Sequence, residues 1–379
     1  MTEQDLLSVF RTLIREFRLK GTVEDYRVAK AGNINDTYFL GTRTAEGLRK
    51  EYTVQRLNHR VFQNPRHVAE NAYAVTTHIE KKLLQAGERD LRRKVMHLYR
   101  RADGSFFYQS PEGEYWRVLS YVYDSCCMDT ADEEILYGMG YAFGEFQRQL
   151  LDFPAETLHY TIPEFHNTPR RFAALREAAE RDLWGRRAEV EEELAYLFSM
   201  EDRVSLLEVL HREGKLPLRV VHNDTKCNNV MLDAKTHAPL AVVDLDTVMP
   251  GYMAYDFGDA VRFACNTAAE DEEELSRVSL SLSRFGRLAE GFLRPLLGNI
   301  TKTELVTLPD GVLLITLELA ARFLTDYLEG DVYFKCRKAK HNLLRGRCQL
   351  ALAKDIAGKT ESMRQLLYLK FLKFRQKIV

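Results

Sequence analysis

The chain of 379 residues has only six cysteines, and none forms a C-x-x-C pair or stands at metal-like spacing from a histidine. This argues against a thiolate zinc site and a disulfide-stapled scaffold, so Cys126, Cys127, Cys227, Cys265, Cys336 and Cys348 read as reduced structural residues. An excess of charge of either sign is missing too: 54 Lys and Arg against 55 Asp and Glu leave a formal charge of −1. No global basic field exists to drive nucleic-acid binding, and a charged ligand must be held by a local site. Long hydrophobic runs are absent. The longest apolar stretch, Gly311 to Leu324, is interrupted by Glu318 and Arg322 and is short for a membrane span. The acidic start, Met1 to Asp5, runs straight into Leu6, Leu7, Val9 and Phe10 without the basic-then-apolar order of a secretory signal, which sets a cytoplasmic expectation. Neither an internal repeat nor a low-complexity linker is visible. What is present is 45% hydrophobic and 29% charged residues, the balance of a globular chain with a large core, over a length that suits one bilobal fold or two domains.

The first third reads as β-rich behind an opening helix. Tyr26 to Ala29, Thr37 to Gly41, Tyr52 to Gln55, Ser105 to Tyr108 and Trp116 to Tyr123 are short β-branched or aromatic runs between turns. One helix is expected among them, roughly His67 to Leu84, with Val68, Ala72, Val75, Ile79 and Leu83 spaced by threes and fours. From about Asp132 the pattern turns helical, beginning with Ile135, Met139, Ala142, Phe143, Phe146 and Leu150 on one face. The fold class is α+β, with a small β-rich lobe over 1–124 and a larger, mainly helical lobe over 125–379. Within the helical half, Leu218 to Val221, Val230 to Leu232 and Leu240 to Val243 read as short strands, the last two forming a hairpin. The acidic run Glu270 to Glu274 reads as a solvated face at a helix start rather than a metal site. The basic, apolar stretch Arg364 to Lys377 reads as a helix docked on the larger lobe rather than on a membrane.

The chemistry concentrates in the loop His222-Asn223-Asp224-Thr225-Lys226-Cys227-Asn228-Asn229 and in Asp244-Leu245-Asp246 after the hairpin. A polar loop pressed between Val220-Val221 and Val230-Met231-Leu232 has no packing rationale of its own. An acid, an amide five residues on and a carboxylate across a hairpin form the set that phosphotransferases place around Mg-ATP. Asp224 suits the base that accepts the proton of an attacking hydroxyl. Mg²⁺ binds few protein oxygens and keeps phosphates and waters, which suits Asp244 and Asn229, with Asp246 as a second-shell or second-metal contact. His222 reads as a brace of the loop, since a carboxylate already stands two residues away.

This segment resembles the H-x-D-x-x-x-x-N and D-x-D signature of the aminoglycoside phosphotransferase and choline kinase superfamily, which is protein-kinase-like in fold. Val221 to Lys226, Val243 to Gly251 and Asp256 to Phe263 resemble bacterial N-acetylhexosamine 1-kinases more closely. Gly32 to Tyr38, Phe165 to Phe172 and Arg322 to Phe334 extend the likeness over about residues 30–350. The resemblance implies two lobes with ATP and Mg²⁺ as cofactors, a turn over the phosphates at Gly32, and adenine held by backbone between Tyr121 and Asp124, Tyr123 included. It implies sugar contacts from Asn33, Asp224, Arg322 and Tyr333, and a monomer or weak oligomer without nucleic-acid or membrane partners.

Two departures stand out. The strand that usually offers a lysine to the α- and β-phosphates carries Gln55 at that position, as the hexosamine kinases also do; Arg56 would face the other side. Glu70, on the following helix, is then left without the lysine it would pair with. Asn33 replaces a histidine, keeping hydrogen-bonding capacity but losing reach, which bears on epimer choice. Arg322 on an apolar helix calls for a partner: an acceptor, or Asp326 four residues on. Tyr333 is otherwise a core aromatic. The expected activity is ATP-dependent phosphorylation of the anomeric hydroxyl of GlcNAc or GalNAc. The competing readings are a kinase of another small alcohol, aminoglycoside or choline-like, and a non-catalytic nucleotide-binding module.

Overall fold

The structure, a computed structural model, describes residues 2–29, 34–128 and 132–376, and the chain in it divides into two compact units. The first unit takes Met1–Cys126 and two returning segments, Thr157–Pro163 and Met231–Met249. It opens with α1 (Glu3–Glu16), whose start is fixed by a capping box in which Thr2 and Asp5 satisfy each other's backbone N–H. Leu6, Phe10 and Leu13 share one face and bury it, and the Phe10 ring meets Tyr26 and Tyr38 edge-on at 5.3 and 5.6 Å.

The sheet under that helix is antiparallel in the order β1-β2-β3-β5-β4, built from β1 (Thr22–Val28), β2 (Asp36–Arg43), β3 (Arg49–Leu57), β4 (Tyr108–Gln109) and β5 (Tyr115–Ser120). Two sequence-expected strands are shorter than their β-rich runs: only Tyr108 of Ser105–Tyr108 pairs, and β5 ends before Tyr121. Between β3 and β4 lie α2 (Pro65–Gln85) and the single turn α3 (Leu91–Lys94). α2 buries Val68, Ala72, Val75 and Ile79, as its periodicity requires. Its buried Asn71 donates to the carbonyls of His159 and Val248 and accepts from the His159 N–H, so one amide pins both returning segments. At the end of the first stretch β6 (Ser125–Cys126) pairs with β8 (Val230–Asp233), which neighbours β9 (Pro239–Val242).

The second unit is helical: α4 (Glu133–Gln149), α5 (Thr168–Arg181), α6 (Glu191–Ser199), α7 (Leu206–Arg212), α8 (Met253–Cys265), α9 (Leu282–Leu296), α10 (Lys302–Leu328) and α11 (His341–Gln376), with the short β7 (Arg219–Val221) and the end of β10 (Met249–Gly251) among them. α4 turns Leu136, Met139, Ala142, Phe143 and Phe146 inward, with Ile135 only half-buried. The helices approach through glycines. A Cβ on Gly311 of α10 would stand 2.1 Å from the Ala254 carbonyl of α8, and one on Gly258 would meet the Gly311 carbonyl at 2.5 Å. This contact sets α8, and with it Asp256 and Asp259, against the long α10.

The run Glu270–Glu274 lies at the surface, as expected, but leads with Glu274 at its cap into the single 3-10 turn Leu275–Arg277 and not into an α-helix; Glu270 faces Arg262 at 3.6 Å and Glu273 pairs with Lys338. Glu272 instead accepts the Glu274 N–H at 2.9 Å. The basic end of α11 docks on its unit through buried Met363 and Leu367, with Lys370 on Glu290 and Arg364 on Asp310. Among the described residues no helix is long and apolar enough to cross a membrane.

Gly311→Ala should destabilise the protein by about 1–3 kcal/mol, because the clash is with backbone that cannot rotate away. Gly358→Ala on α11, where an added methyl meets nothing, should instead stabilise by about 0.5–1 kcal/mol. Urea unfolding of both variants checks the contrast.

Candidate functional site

In the second unit, the loop after β7 is held from below by one buried carboxylate. Asp256 accepts the backbone N–H groups of His222 and Asn223 on its two oxygens, both at 2.8 Å, and Gln147 of α4 donates to it at 2.8 Å and to the Val220 carbonyl at 3.0 Å. Burial pushes the Asp256 carboxyl up, against His222 and these hydrogen bonds, which favour its charge. A neighbouring carboxylate, Asp259, takes the Thr225 N–H at 3.0 Å and is clamped by Arg262 at 2.8 and 3.1 Å. Burial opposes its ionisation too, but Arg262, with Lys226 beyond it, holds Asp259 below the usual range. His222 is fully buried, edge-on to Phe143 and Phe146, and its Nδ1 lies 3.3 Å from the Asp224 N–H: it braces the loop, as expected.

Asp224 itself remains partly open and is oriented on both oxygens. Lys226 Nζ stands 2.7 Å from Oδ1, and Asn229 Nδ2 donates to Oδ2 at 3.1 Å and to the Asp224 carbonyl at 2.8 Å. Burial disfavours the Lys226 ammonium, yet Asp224 beside it outweighs that cost and raises its value. The Asn229 amide has spent its nitrogen on Asp224, so its oxygen is the end left to accept or coordinate. The structure therefore brings Asp224 and Asn229 together.

The segment Phe165-His166 links this loop to Arg322. His166 Nε2 lies 3.3 Å from the Asn223 carbonyl and Nδ1 2.8 Å from Glu318 Oε1, while Thr168 donates to the other Glu318 oxygen at 3.0 Å. One turn further along α10, Arg322 lies near the rings of Phe165, Phe334 and Tyr333, at 5.5, 5.5 and 5.9 Å from their centroids. Asp326 is not its partner. That carboxylate caps the backbone N–H groups of Val332, Tyr333 and Phe334 at 2.7–2.9 Å and takes Asn342, which shapes the turn carrying Tyr333. Tyr333 is 66% exposed and so is no core aromatic. Arg171 donates to the Phe165 carbonyl at 3.0 Å; burial, and then Arg322 close by, draw its value down. The neighbourhood is aromatic and doubly cationic.

In the first unit, Gln55 lies directly across from Arg117 in the β3–β5 register, and its side-chain oxygen accepts from Arg117 Nε and Nη2 at 2.9 and 2.7 Å. Arg117 continues to Asp246 Oδ1 at 2.5 Å, and Asn35 donates to Asp246 Oδ2 at 2.6 Å. Arg56, on the opposite face, pairs with Asp36, and Glu70 pairs with His159 at 2.9 Å. Asp244 and Asp246 line one small cavity with Gln55 and Arg117. Beyond β5, the Tyr121 ring sits edge-on to Phe39 and Tyr123, and the Tyr123 hydroxyl accepts the Glu51 N–H. Here the carbonyls of Val122, Tyr123 and Asp124 are taken by Ser125, Arg93 and Arg93 with Ala234. Gly32 and Asn33 lie outside the described residues.

Arg117, Gln147 and His166 are the residues that sequence reasoning passed over. Gln147 and Arg117 sit within plain helical and strand patterns and carry no local signal. His166 had one, a polar residue inside a segment already singled out. Among the described residues no group of three or more His, Cys, Asp or Glu side chains converges as a ready metal cage.

Burial works against the Glu318 charge, but His166 against it, with Arg322 and Arg171 near, holds its carboxyl below the ordinary range. A lowered folded value means that this group stabilises fully above the unfolded value of about pH 4.3, a contribution lost as pH falls through the folded value. Glu318→Gln should therefore lower stability at pH 7 and flatten the acid limb of a Tm–pH profile.

The family model described as "Phosphotransferase enzyme family" matches residues 25–288. Solved structures similar to the chain include a microcompartment-associated aminopropanol kinase (15% identity, 93% of this chain and 98% of that one, TM-score 0.56). A spectinomycin phosphotransferase in complex with ADP and spectinomycin is similar at 11% identity, 95% and 99% coverage and TM-score 0.54. An amicoumacin kinase in complex with AMP-PNP, Ca²⁺ and Ami is similar at 11% identity, 95% and 94% coverage and TM-score 0.54. These likenesses describe the fold, an antiparallel sheet region followed by a helical region. The family match spans well over half of the sequence and includes both the Asp224 loop and Asp244-Leu245-Asp246, and the chain belongs to the phosphotransferase enzyme family.

Proposed function

We propose that this phosphotransferase moves the γ-phosphoryl group of ATP to the anomeric hydroxyl of an N-acetylhexosamine, GlcNAc or GalNAc, giving the sugar 1-phosphate and ADP. The observation that carries the reading is the second unit's chain of contacts from the Asp224 loop through His166 and Glu318 to the helix of Arg322. A proton-accepting carboxylate, Asp224, thus shares its surroundings with Arg322 and Tyr333, an arginine and an exposed aromatic suited to hydroxyl, acetamido and ring-face contacts. Two neighbouring arginines disfavour a cationic acceptor such as choline or an aminoglycoside.

In this reaction the hydroxyl oxygen bonds to the γ-phosphorus, the bond to the bridging β,γ-oxygen breaks, ADP leaves and the proton passes to Asp224. Lys226 and Asn229 hold Asp224 so that the proton-accepting geometry exists before the sugar arrives. Asn229 and Asp244 are the oxygen donors assigned to Mg²⁺. Their chemistry fits a hard cation, for the Asn229 nitrogen is already committed to Asp224. When bound, the ion neutralises phosphate charge. Asp246 is left out of this set, since both its oxygens are engaged by Arg117 and Asn35. The nucleotide is assigned to residues 1–124, with Gly32 over the phosphates, Gln55 in the place of the usual lysine and the backbone near Tyr121 and Tyr123 at the base. Phe39, beside Tyr121, gives that end an aromatic wall.

Asp224→Asn should keep the fold and nucleotide affinity while lowering kcat on the order of 10²–10⁴-fold. Arg322→Ala should raise the sugar KM far more than the ATP KM. Phosphorus NMR of the GlcNAc product should show phosphate coupled to the anomeric proton, and the 1-O-methyl glycoside should not react. Turnover of that glycoside, or phosphate at position 6, overturns the sugar 1-kinase reading. ADP release with aminoglycosides or choline and none with hexosamines would favour the other small-alcohol kinase.

A further inference from the structure

The first unit holds a buried cation that the reading above does not use. Arg117 is 2% exposed, and a guanidinium at that depth needs partners on every side. Its Nε and Nη2 have them. Gln55 Oε1 takes Nε and Nη2 from the neighbouring strand, Nη2 also stands in an ion pair 2.5 Å from Asp246 Oδ1, Asn35 donates to Asp246 Oδ2, and the Asn35 oxygen in turn accepts the Asn58 N–H at 2.9 Å. Thr161 adds a hydrogen bond to the Asp246 carbonyl at 2.9 Å. Asp246 is thereby fixed in both its carboxylate and its backbone.

Asp246 lies two residues from Asp244, in the short helical turn Leu245–Thr247. Asp244 enters that turn with φ of 61°, a left-handed conformation that costs an ordinary L-residue free energy and persists only where the surroundings impose it. The same four polar side chains, Gln55, Arg117, Asp244 and Asp246, line a cavity of about 20 Å³, roughly the space of one water. The tie on Asp246 therefore bears on the short turn through which Asp244 enters.

We infer that Arg117 is a positioning residue for metal-nucleotide binding. It anchors Asp246, and through the Leu245–Thr247 turn it fixes Asp244, while Asp246 serves as the anchor point and not as a ligand of the metal. The inference rests on the proposed nucleotide and metal reading of this unit. It also accounts for Gln55. A lysine there would place a second cation directly opposite Arg117, whereas the glutamine oxygen accepts two of its hydrogen bonds. The positive charge of this region stands on β5 instead of β3.

The test is the dependence of ADP affinity on Mg²⁺, measured by calorimetry on the full chain as the ratio of Kd without and with the ion. In Arg117→Gln that ratio should fall at least tenfold, because Asp246 loses its anchor and becomes an unpaired buried carboxylate. In the paired variant Arg117→Gln with Asp246→Asn, two amides replace the ion pair, no buried charge is left over, and the ratio should return to within about threefold of wild type. Thermal unfolding of all three proteins shows whether the single variant is folded. If it is not, Arg117→Lys, which keeps the charge but loses the fork that reaches both Gln55 and Asp246, takes its place, and the same fall in the ratio is expected of it. A merely structural arginine would change Kd equally with and without Mg²⁺ and leave the ratio unmoved, which overturns the inference. A paired variant as insensitive to Mg²⁺ as protein lacking a metal ligand also overturns it, since Asp246 would then be a ligand itself. Wild-type protein that binds ADP neither with nor without the ion would instead bring down the nucleotide reading, and this inference with it.

Discussion

The Asp256 carboxylate is the constraint on which the reactive loop depends. Two consecutive backbone N–H groups, those of His222 and Asn223, point at one buried acid, and Gln147 fills the remaining direction while tying down the Val220 carbonyl. Buried N–H groups without acceptors would cost more than the loop can return. With the acceptor supplied from α8, the loop has one low-energy path, and Asp224 emerges from it already aimed. α8 in turn is placed by the close glycine approach to α10, so packing between two helices reaches the orientation of an acid on a loop.

Buried charge elsewhere follows the same logic of paired commitment. Asp259 has Arg262, Glu318 has His166 and Thr168, and Arg117 has Gln55 and Asp246. Such pairs add little net stability against well-packed apolar residues, because desolvation offsets most of the attraction. Their value lies in direction, since each fixes a side chain to within the tolerance of a hydrogen bond. Each also bears on a residue to which a chemical role is assigned: Asp259 beside the Asp224 loop, Glu318 one turn from Arg322, and Arg117 through Asp246, which stands two residues from Asp244.

What could be read from the sequence was whatever repeats locally or is chemically out of place. The threes and fours of Val68, Ala72, Val75 and Ile79 gave α2, and the alternating short runs gave the central strands of the sheet. The polar loop was conspicuous because it interrupts apolar strands. Partners far apart in sequence were not legible: Asn35 and Asp246 are 211 positions apart, and neither carries a mark that points to the other. The same holds for the return of Met231–Met249 to the first unit, which is decided by the sheet and by Asn71, not by any feature of the hairpin. The acidic run Glu270–Glu274 is at the surface as its charge suggests, but only the single 3-10 turn Leu275–Arg277 follows it, and Arg262 and Lys338 supply cations beside Glu270 and Glu273. Arg322 and Asp326 have the spacing of a helical ion pair, but three backbone N–H groups in the next turn compete for that carboxylate and win.

Two left-handed residues show how the strained parts of the backbone are maintained. Asn223, with φ of 64°, immediately precedes Asp224, and Asp244 adopts φ of 61° itself. Asparagine and aspartate tolerate this region better than other side-chain-bearing residues, yet neither adopts it without cost. In each case a buried charge holds the backbone at the strained position or a side chain two residues beyond it. Asp256 takes the Asn223 N–H, and Arg117 with Asn35 grips Asp246 after the turn that Asp244 begins. A glycine would enter either turn more easily, but it would supply no carboxylate at 244 and would leave the unfolded chain more freedom to lose. The arrangement therefore places local strain where an acid must point in one direction and sets the restoring force one or two residues away, on side chains that have no chemistry of their own to perform.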